Sequence, residues 1–171
     1  MSEATAALRL VVITASDRAT AGAYADVGGD TAQELAETFL RADGFVVTTT
    51  RILLPDGRAH LAAAIAGAAA DGVDLVLTTG GTGLGPRDVT PEATRDVIDR
   101  EVPGLMEAVR AHHRAARPQV DLSRAVAGLV GRTLVLNLPG SPRAVGEFLA
   151  VLLPLLPHAV AMARGGDQHP H

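Results

Sequence analysis

The stretch that decides the fold is Val73-Asp74-Leu75-Val76-Leu77-Thr78-Thr79-Gly80-Gly81-Thr82-Gly83. Its first part, 73–79, is short, almost continuously apolar and rich in β-branched side chains, as is typical of a strand covered on both faces. Small residues follow directly, so this strand ends in a glycine-rich loop. The same strand pattern occurs in three further segments, which are Leu8–Ala15, Phe45–Arg51 and Thr133–Leu138.

Helical patterns lie between these strands and indicate the fold class. The signals are, in chain order, the capping-box pair Asp30 and Gln33, the alanine-rich segment Arg58–Ala70, Thr90 followed by Pro91, and Ser141 followed by the apolar positions of Val145–Leu156. This alternation predicts an α/β fold, a three-layer sandwich with a mostly parallel central sheet. With 171 residues, we expect one domain over 1–164 and a disordered tail over 165–171. Exposed apolar side chains on Val145–Leu156 would suit a subunit contact.

The composition excludes several classes of chemistry. The chain contains no Cys, and all 15 of its basic residues are Arg, so thiolate metal sites, Schiff-base catalysis and a Walker-A lysine are ruled out. A formal charge of −4 and an aromatic content of 2% argue against a nucleic-acid partner. The longest apolar run contains Pro154 and is shorter than the about 20 residues that a membrane span requires. We therefore expect a cytoplasmic protein without a membrane partner.

Polar and small residues follow each predicted strand, where ligands bind in parallel α/β sheets. Gly80–Gly83 could cradle an anion with backbone N–H groups, although a glycine-rich turn explains the same residues. Asp56 and Asp88 could hold Mg²⁺, which prefers one or two carboxylates together with phosphates and water. The alternatives are a helix cap for Asp88 and a Pro-Asp-Gly turn for Asp56. The residues alone thus indicate an anionic ligand with Mg²⁺.

Four segments of the chain belong together as one pattern. They are Ser16-Asp17-Arg18 with Gly22, Thr78–Gly83, Arg87–Thr94 and Leu138–Pro142. Together they resemble the MogA/MoaB family of molybdopterin-binding proteins, to which the gephyrin G domain belongs. The resemblance covers almost the whole chain, and the combined glycine-loop and Arg-Asp-Val-Thr-Pro-Glu-Ala string is its most specific part.

The resemblance implies a homotrimeric enzyme of molybdenum cofactor biosynthesis, a molybdopterin adenylyltransferase. Its substrates would be ATP and molybdopterin and its cofactor Mg²⁺; AMP would pass to the terminal phosphate of molybdopterin with release of pyrophosphate, and a molybdate-inserting enzyme could act downstream. Asp56 and Asp88 match the family's essential aspartates, which we expect to be catalytic and to hold the metal. The expected substrate-binding residues are Ser16, Asp17, Thr79, Gly80, Gly81, Thr82, Gly83, Pro139, Gly140 and Ser141.

One departure from the family pattern keeps a second function open. The family commonly has Asn-Pro-Lys after the Pro-Gly pair, whereas this chain has Ser141-Pro142-Arg143. This segment and Ser123–Gly128 resemble the MoaB-like branch, so the alternative is a non-catalytic pterin-binding or trimeric scaffold protein. The presence of Asp56 and of the Arg-Asp-Val-Thr-Pro string at 87–91 favours the active, MogA-like branch.

Overall fold

A computed structural model describes residues 6–166 of the chain. Its core is a six-stranded sheet in the order β2-β1-β3-β6-β5-β4. Strands β2, β1, β3 and β6 run parallel, and β5 and β4 are antiparallel to their neighbours. The strands are β1 (Ala7–Ala15), β2 (Val46–Leu54), β3 (Leu75–Thr79), β4 (Arg100–Glu101), β5 (Ala127–Val130) and β6 (Thr133–Leu138).

Helices cover both faces of this sheet. They are α1 (Asp17–Thr20), α2 (Val27–Ala42), α3 (Arg58–Ala70), α4 (Thr90–Arg95), α5 (Pro103–His113), α6 (Pro142–Leu152) and α7 (Leu156–Ala163), with 3₁₀ turns at Pro118–Leu122 and Leu153–Leu155. One apolar core joins the sheet to α2, α5, α6 and α7, and a second, smaller core joins the opposite face to α3 and α4. The predicted three-layer α/β sandwich with a mostly parallel sheet is therefore confirmed.

Strands β4 and β5 were not predicted from the sequence. They are two and four residues long, which is too short for the apolar alternation that identifies a strand. The expected cap at Asp30 is also wrong. Helix α2 begins at Val27 because Asp26 is its N-cap and accepts a hydrogen bond from the N–H of Gly29, while Asp30 lies within the first turn.

Most of the apolar side of α6 and α7 is buried within the chain, and Leu155 is the large apolar side chain of Val145–Leu156 that stays exposed. Val145, Leu149, Leu152 and Leu156 are fully buried against the sheet within one chain. The helical stretch Pro142–Ala163 is long and apolar enough to cross a membrane, with a mean hydropathy of 1.7. We interpret it as a core helix, because this buried face packs in the larger apolar core and a 3₁₀ turn at Leu153–Leu155 interrupts it.

The two chain ends are described only in part. The N–H of Gly165 donates to the carbonyl of Met162 and that of Gly166 to Ala161, so both continue the end of α7. The rest of the expected tail, 167–171, lies outside the described residues.

Candidate functional site

The four parallel strands bring their carboxyl ends to one edge of the sheet. Leu54 pairs with Ala15, Thr79 with Thr14, and Leu138 with Thr79, so the loops that follow β2, β1, β3 and β6 start side by side. The chain passes from β1 to β2, which lies on one side of β1, and then returns to form β3 on the other side of β1. This reversal between β1 and β3 is the position at which open α/β sheets bind ligands.

The glycine loop after β3 has a backbone that only glycine adopts readily. Gly80 and Gly81 have φ angles of +90° and +64°. Thr90 fixes the loop from the start of α4, since its Oγ1 donates to the carbonyl of Gly80 at 2.8 Å and its N–H donates to that of Gly81 at 3.1 Å. A Cβ at Gly81 would lie 2.5 Å from Thr90 Oγ1, so the close approach of these two residues requires glycine.

The turn after β6 contacts this loop directly. The N–H of Gly80 donates to the carbonyl of Leu138 at 3.1 Å. A Cβ at Gly140 would lie 3.4 Å from the Cα of Gly80, so the two backbones are nearly in contact. Ser141 caps α6 by accepting a hydrogen bond from the N–H of Ala144 at 3.3 Å. The loops from β3 and β6 therefore form one surface.

The carboxylate of Asp88 lies against the same loop. Its Oδ2 accepts a hydrogen bond from the N–H of Gly85 at 2.9 Å. A Cβ at either Gly83 or Gly85 would lie 2.9 Å from this oxygen. No hydrogen bond from residues 6–166 reaches Oδ1, which leaves that oxygen open to a ligand or cation.

These segments line a cavity of about 970 Å³ between the glycine loop, the 3₁₀ turn at Pro118–Leu122 and α6. Seven of the predicted site residues belong to its wall, namely Gly81, Thr82, Gly83, Asp88, Pro139, Gly140 and Ser141. Its charged side chains are Asp88, Glu147 and Arg117, of which only Arg117 is a cation. The cavity thus combines the glycine loop with a net acidic lining.

The predicted residues on the β1 and β2 loops lie beside this cavity rather than in its wall. The N–H of Asp56 donates to Asp17 Oδ1 at 2.9 Å, and Asp17 Oδ2 lies 3.8 Å from a guanidinium nitrogen of Arg87, the neighbour of Asp88. Asp17 thereby connects the Asp56 loop to the Asp88 loop. The Asp56 carboxylate accepts no hydrogen bond within the described part of the chain. Ser16 caps α1 and its Oγ lies 2.9 Å from the hydroxyl of Tyr24.

Thr79 and Gly80 also lie outside the cavity wall. Thr79 is 1% exposed, and its Oγ1 lies 2.8 Å from Oγ1 of Thr14. The side chain of Thr79 is therefore positioned to hold the strand ends together rather than to reach a ligand. Gly80 contributes the carbonyl that Thr90 binds.

Comparison with known proteins decides the family. Residues 11–158 match the family model described as a probable molybdopterin binding domain. This chain belongs to the MogA/MoaB family. The crystal structure of the molybdopterin biosynthesis enzyme MoaB from Thermus thermophilus is similar, with a TM-score of 0.81 and 43% identity over 92% of this chain and 97% of that one.

Curated relatives of this MogA/MoaB chain are named for molybdenum cofactor biosynthesis. A molybdopterin adenylyltransferase of Helicobacter pylori is 36% identical over 162 residues, covering 92% of this chain and 89% of the relative. A molybdenum cofactor biosynthesis bifunctional protein of Synechococcus elongatus is 43% identical over 91% of this chain, which spans 47% of that longer protein. The predicted family and its role in molybdenum cofactor biosynthesis are confirmed, and the relatives' names support the expected enzyme type.

Two features that support the family's site were missed from the sequence. Asp26 accepts hydrogen bonds from Thr14 at 2.6 Å and from Gly29 at 3.0 Å, and it forms an ion pair with Arg51. The pair Gly28-Gly29 inside a helix was the available signal, because a Cβ at Gly29 would collide with Thr14, Asp26 and Arg51. The cavity wall from Arg117 to Ser123 was also missed, because an irregular turn has no periodic pattern.

Proposed function

We propose that this chain is a molybdopterin adenylyltransferase, which transfers AMP from ATP to the terminal phosphate of molybdopterin. The observation that carries this proposal is one cavity lined by the glycine loop, Asp88 and the Pro139–Ser141 turn. A cavity of about 970 Å³ is large enough for ligands of this class, since small-molecule pockets span about 300–1,000 Å³.

The chemistry requires positioning more than covalent work by the protein. An oxygen of the molybdopterin phosphate would attack the α-phosphorus of ATP, and the bond from that phosphorus to the bridging oxygen would break, releasing pyrophosphate. Backbone N–H groups at Gly81–Gly83 would hold phosphate oxygens, because the positive φ angles of Gly80 and Gly81 turn the chain so that successive N–H groups can converge on an anion. The role of these residues is therefore to align two anionic reactants.

Asp56 and Asp88 would hold a Mg²⁺ ion as its carboxylate ligands. Each has at least one carboxylate oxygen without a hydrogen bond from the described residues. Residues 6–166 contain no group of three or more His, Asp or Glu that could hold a metal on its own. A pair of aspartates suits Mg²⁺, which takes one or two carboxylates and fills its shell with water and substrate phosphates. When bound, the ion would neutralise the charge that develops on the phosphates.

The lining charges support the same conclusion. Asp88 and Glu147 outnumber the single cation Arg117 in the wall, and Arg117 Nε already lies 3.1 Å from Glu147 Oε1. Two anionic reactants would repel one another and would also meet an acidic surface. A divalent cation held by the aspartates would reduce that repulsion.

The decisive experiment measures pyrophosphate release from molybdopterin and Mg-ATP. We expect activity in the wild-type chain and a fall in kcat of about 10²–10³-fold in Asp56→Asn and Asp88→Asn, the range for removing one preorganised electrostatic group. Asp43→Asn, at the exposed C-cap of α2, is the matched control and should keep full activity. Near-normal turnover in either site variant would refute its catalytic role.

The second candidate is a non-catalytic pterin-binding or scaffold protein of the MoaB-like branch. Ser141 and Arg143 favour it, and Arg143 Nε lies 3.2 Å from Glu147 Oε1 at the cavity margin. Tight molybdopterin binding without pyrophosphate release would select this function.

Several finer properties complete the proposal. We propose that 1–164 form one molybdopterin-binding domain in a cytoplasmic homotrimer, which passes its product to a molybdate-inserting enzyme. The family resemblance supports these properties. Light scattering of the purified chain would test the trimer, and a two- or fourfold monomer mass would refute it.

A further inference from the structure

Asp88 stands at the end of an exposed excursion of the chain, Leu84–Arg87, that follows the glycine loop. Inside this excursion, the N–H of Asp88 donates to the carbonyl of Gly85 at 3.0 Å, and the N–H of Gly85 donates back to Asp88 Oδ2 at 2.9 Å. These two bonds set the position of the carboxylate relative to the excursion. They do not attach the excursion to the rest of the domain.

Arg124 supplies that attachment. Its Nε donates to the carbonyl of Gly83 at 2.8 Å, and another guanidinium nitrogen donates to the carbonyl of Asp88. One planar group therefore binds the chain on both sides of Leu84–Arg87. The backbone N–H of Arg124 adds a third hydrogen bond, to the carbonyl of Thr82 at 2.8 Å.

Arg124 is itself held in place by two neighbours, one at its guanidinium and one at the adjoining backbone. Its remaining terminal nitrogen forms an ion pair with Glu92 on α4, and both side chains are 33% exposed. Burial acts to raise the pKa of Glu92, but hydrogen bonding and attraction from Arg124, with attraction from Arg95, outweigh it and lower that pKa. Arg110 donates to the carbonyl of Ser123 at 2.9 Å, which fixes the backbone before Arg124.

We propose that Arg124 is a positioning residue for Asp88: it holds both ends of Leu84–Arg87 so that the Asp88 carboxylate faces the cavity. The proposal rests on the proposed adenylyl transfer for its effect on rate. It requires arginine in particular, because the guanidinium carries its N–H donors on three nitrogens in a rigid planar fork, whereas the three donors of a lysine ammonium share one nitrogen.

The expected effect is on kcat rather than on KM. A misplacement of about 1 Å in a catalytic group can lower the rate by about 10²-fold, while Arg124 itself is absent from the cavity wall. We expect kcat to fall by about 30–100-fold in Arg124→Ala and by about tenfold in Arg124→Lys, with KM for both substrates changed less than about threefold. Millimolar guanidinium should restore part of the kcat of Arg124→Ala.

The matched control is Arg114→Ala, which removes an exposed ion pair. In that pair Arg114 Nε lies 2.7 Å from Oδ2 of Asp121, a residue of the 3₁₀ turn Pro118–Leu122. Arg114→Ala should leave kcat unchanged. Hydrogen exchange of a peptide spanning 83–90 gives a readout that does not depend on activity. We expect faster exchange of this peptide in Arg124→Ala and unchanged exchange in Arg114→Ala.

The outcomes separate this proposal from the proposed function. If the wild-type chain releases no pyrophosphate, adenylyl transfer is refuted, and the exchange of peptide 83–90 still decides whether Arg124 holds the loop. Unchanged exchange or an unchanged kcat in Arg124→Ala would overturn the positioning role, as would a kcat loss that guanidinium does not relieve. If Arg124→Ala does not fold, Arg124→Gln, which keeps one donor group, is judged by the same criteria.

Discussion

Gly28 is the point at which helix α2 contacts the candidate site. A Cβ built on Gly28 would lie 2.5 Å from the backbone oxygen of Gly140, in the turn that lines the cavity. Neither atom belongs to a flexible side chain, so Gly28→Ala must move α2 or the Pro139–Ser141 turn. Overpacking costs about 1–3 kcal/mol, and a contact with backbone that cannot rotate away belongs to the upper part of that range, about 2–3 kcal/mol. The greater helix propensity of alanine offsets up to about 1 kcal/mol of that. We expect a net loss of about 1–2 kcal/mol.

Thermal unfolding and steady-state kinetics measure the two consequences separately. For a chain of this size, about 1 kcal/mol shifts Tm by about 2–4 °C, so Gly28→Ala should lower Tm by about 2–8 °C. Displacement of Gly140 should also lower kcat/KM when it is measured at a temperature well below the new Tm. The control is Gly67→Ala in α3, where a Cβ would meet nothing within 4 Å. That variant should be more stable by about 0.5–1 kcal/mol. If Gly28→Ala proves as stable as Gly67→Ala, the close contact between α2 and the site is wrong.

Two further substitutions test how the site is supported. Asn137 is fully buried; its Nδ2 donates to Thr78 at 3.0 Å and Thr94 at 2.8 Å, and its Oδ1 accepts from the N–H of Val126. Asn137→Leu leaves these groups unpaired, so urea denaturation should show a loss of about 2–4 kcal/mol; a loss below about 1 kcal/mol would refute the network. At Asp74, burial acts to raise the pKa, but hydrogen bonds from Arg164 and the N–H of Arg9 outweigh it and hold the pKa below its ordinary 3.8. The stabilisation is therefore complete above pH 3.8 and is lost as pH falls through the folded pKa. Asp74→Asn should be less stable than wild type at pH 7, and the difference should shrink below pH 3.8; a constant difference would contradict this linkage.

Local sequence patterns were sufficient to predict the four parallel strands. Each of these strands is buried on both faces or flanked by turn residues, so its apolar run has clear ends. Two of these strands differ from the prediction by more than one residue at one end: β2 extends to Leu54, beyond the expected Arg51, and β3 begins at Leu75 rather than Val73. In β2, an edge strand, the polar residues 48–51 interrupt the apolar pattern, and the apolar run Ile52–Leu54 before Pro55 was the available signal for its end.

The candidate site was predictable only where its residues follow the strands directly. Gly81, Asp88 and Gly140 could be placed together because parallel strands end at one edge of a sheet. Arg124 could not be found in this way, since it reaches Gly83 across 41 positions of sequence and Glu92 across 32. The ion pair of Arg51 with Asp26 spans 25 positions, and neither residue belongs to a periodic pattern. The residues proposed to bind a ligand thus leave local signals, whereas the contacts that hold these loops in place depend on the folded chain. Substitutions at Arg124 and Gly28 therefore test the structure itself, while substitutions at Asp56 and Asp88 test the chemistry that the motifs already imply.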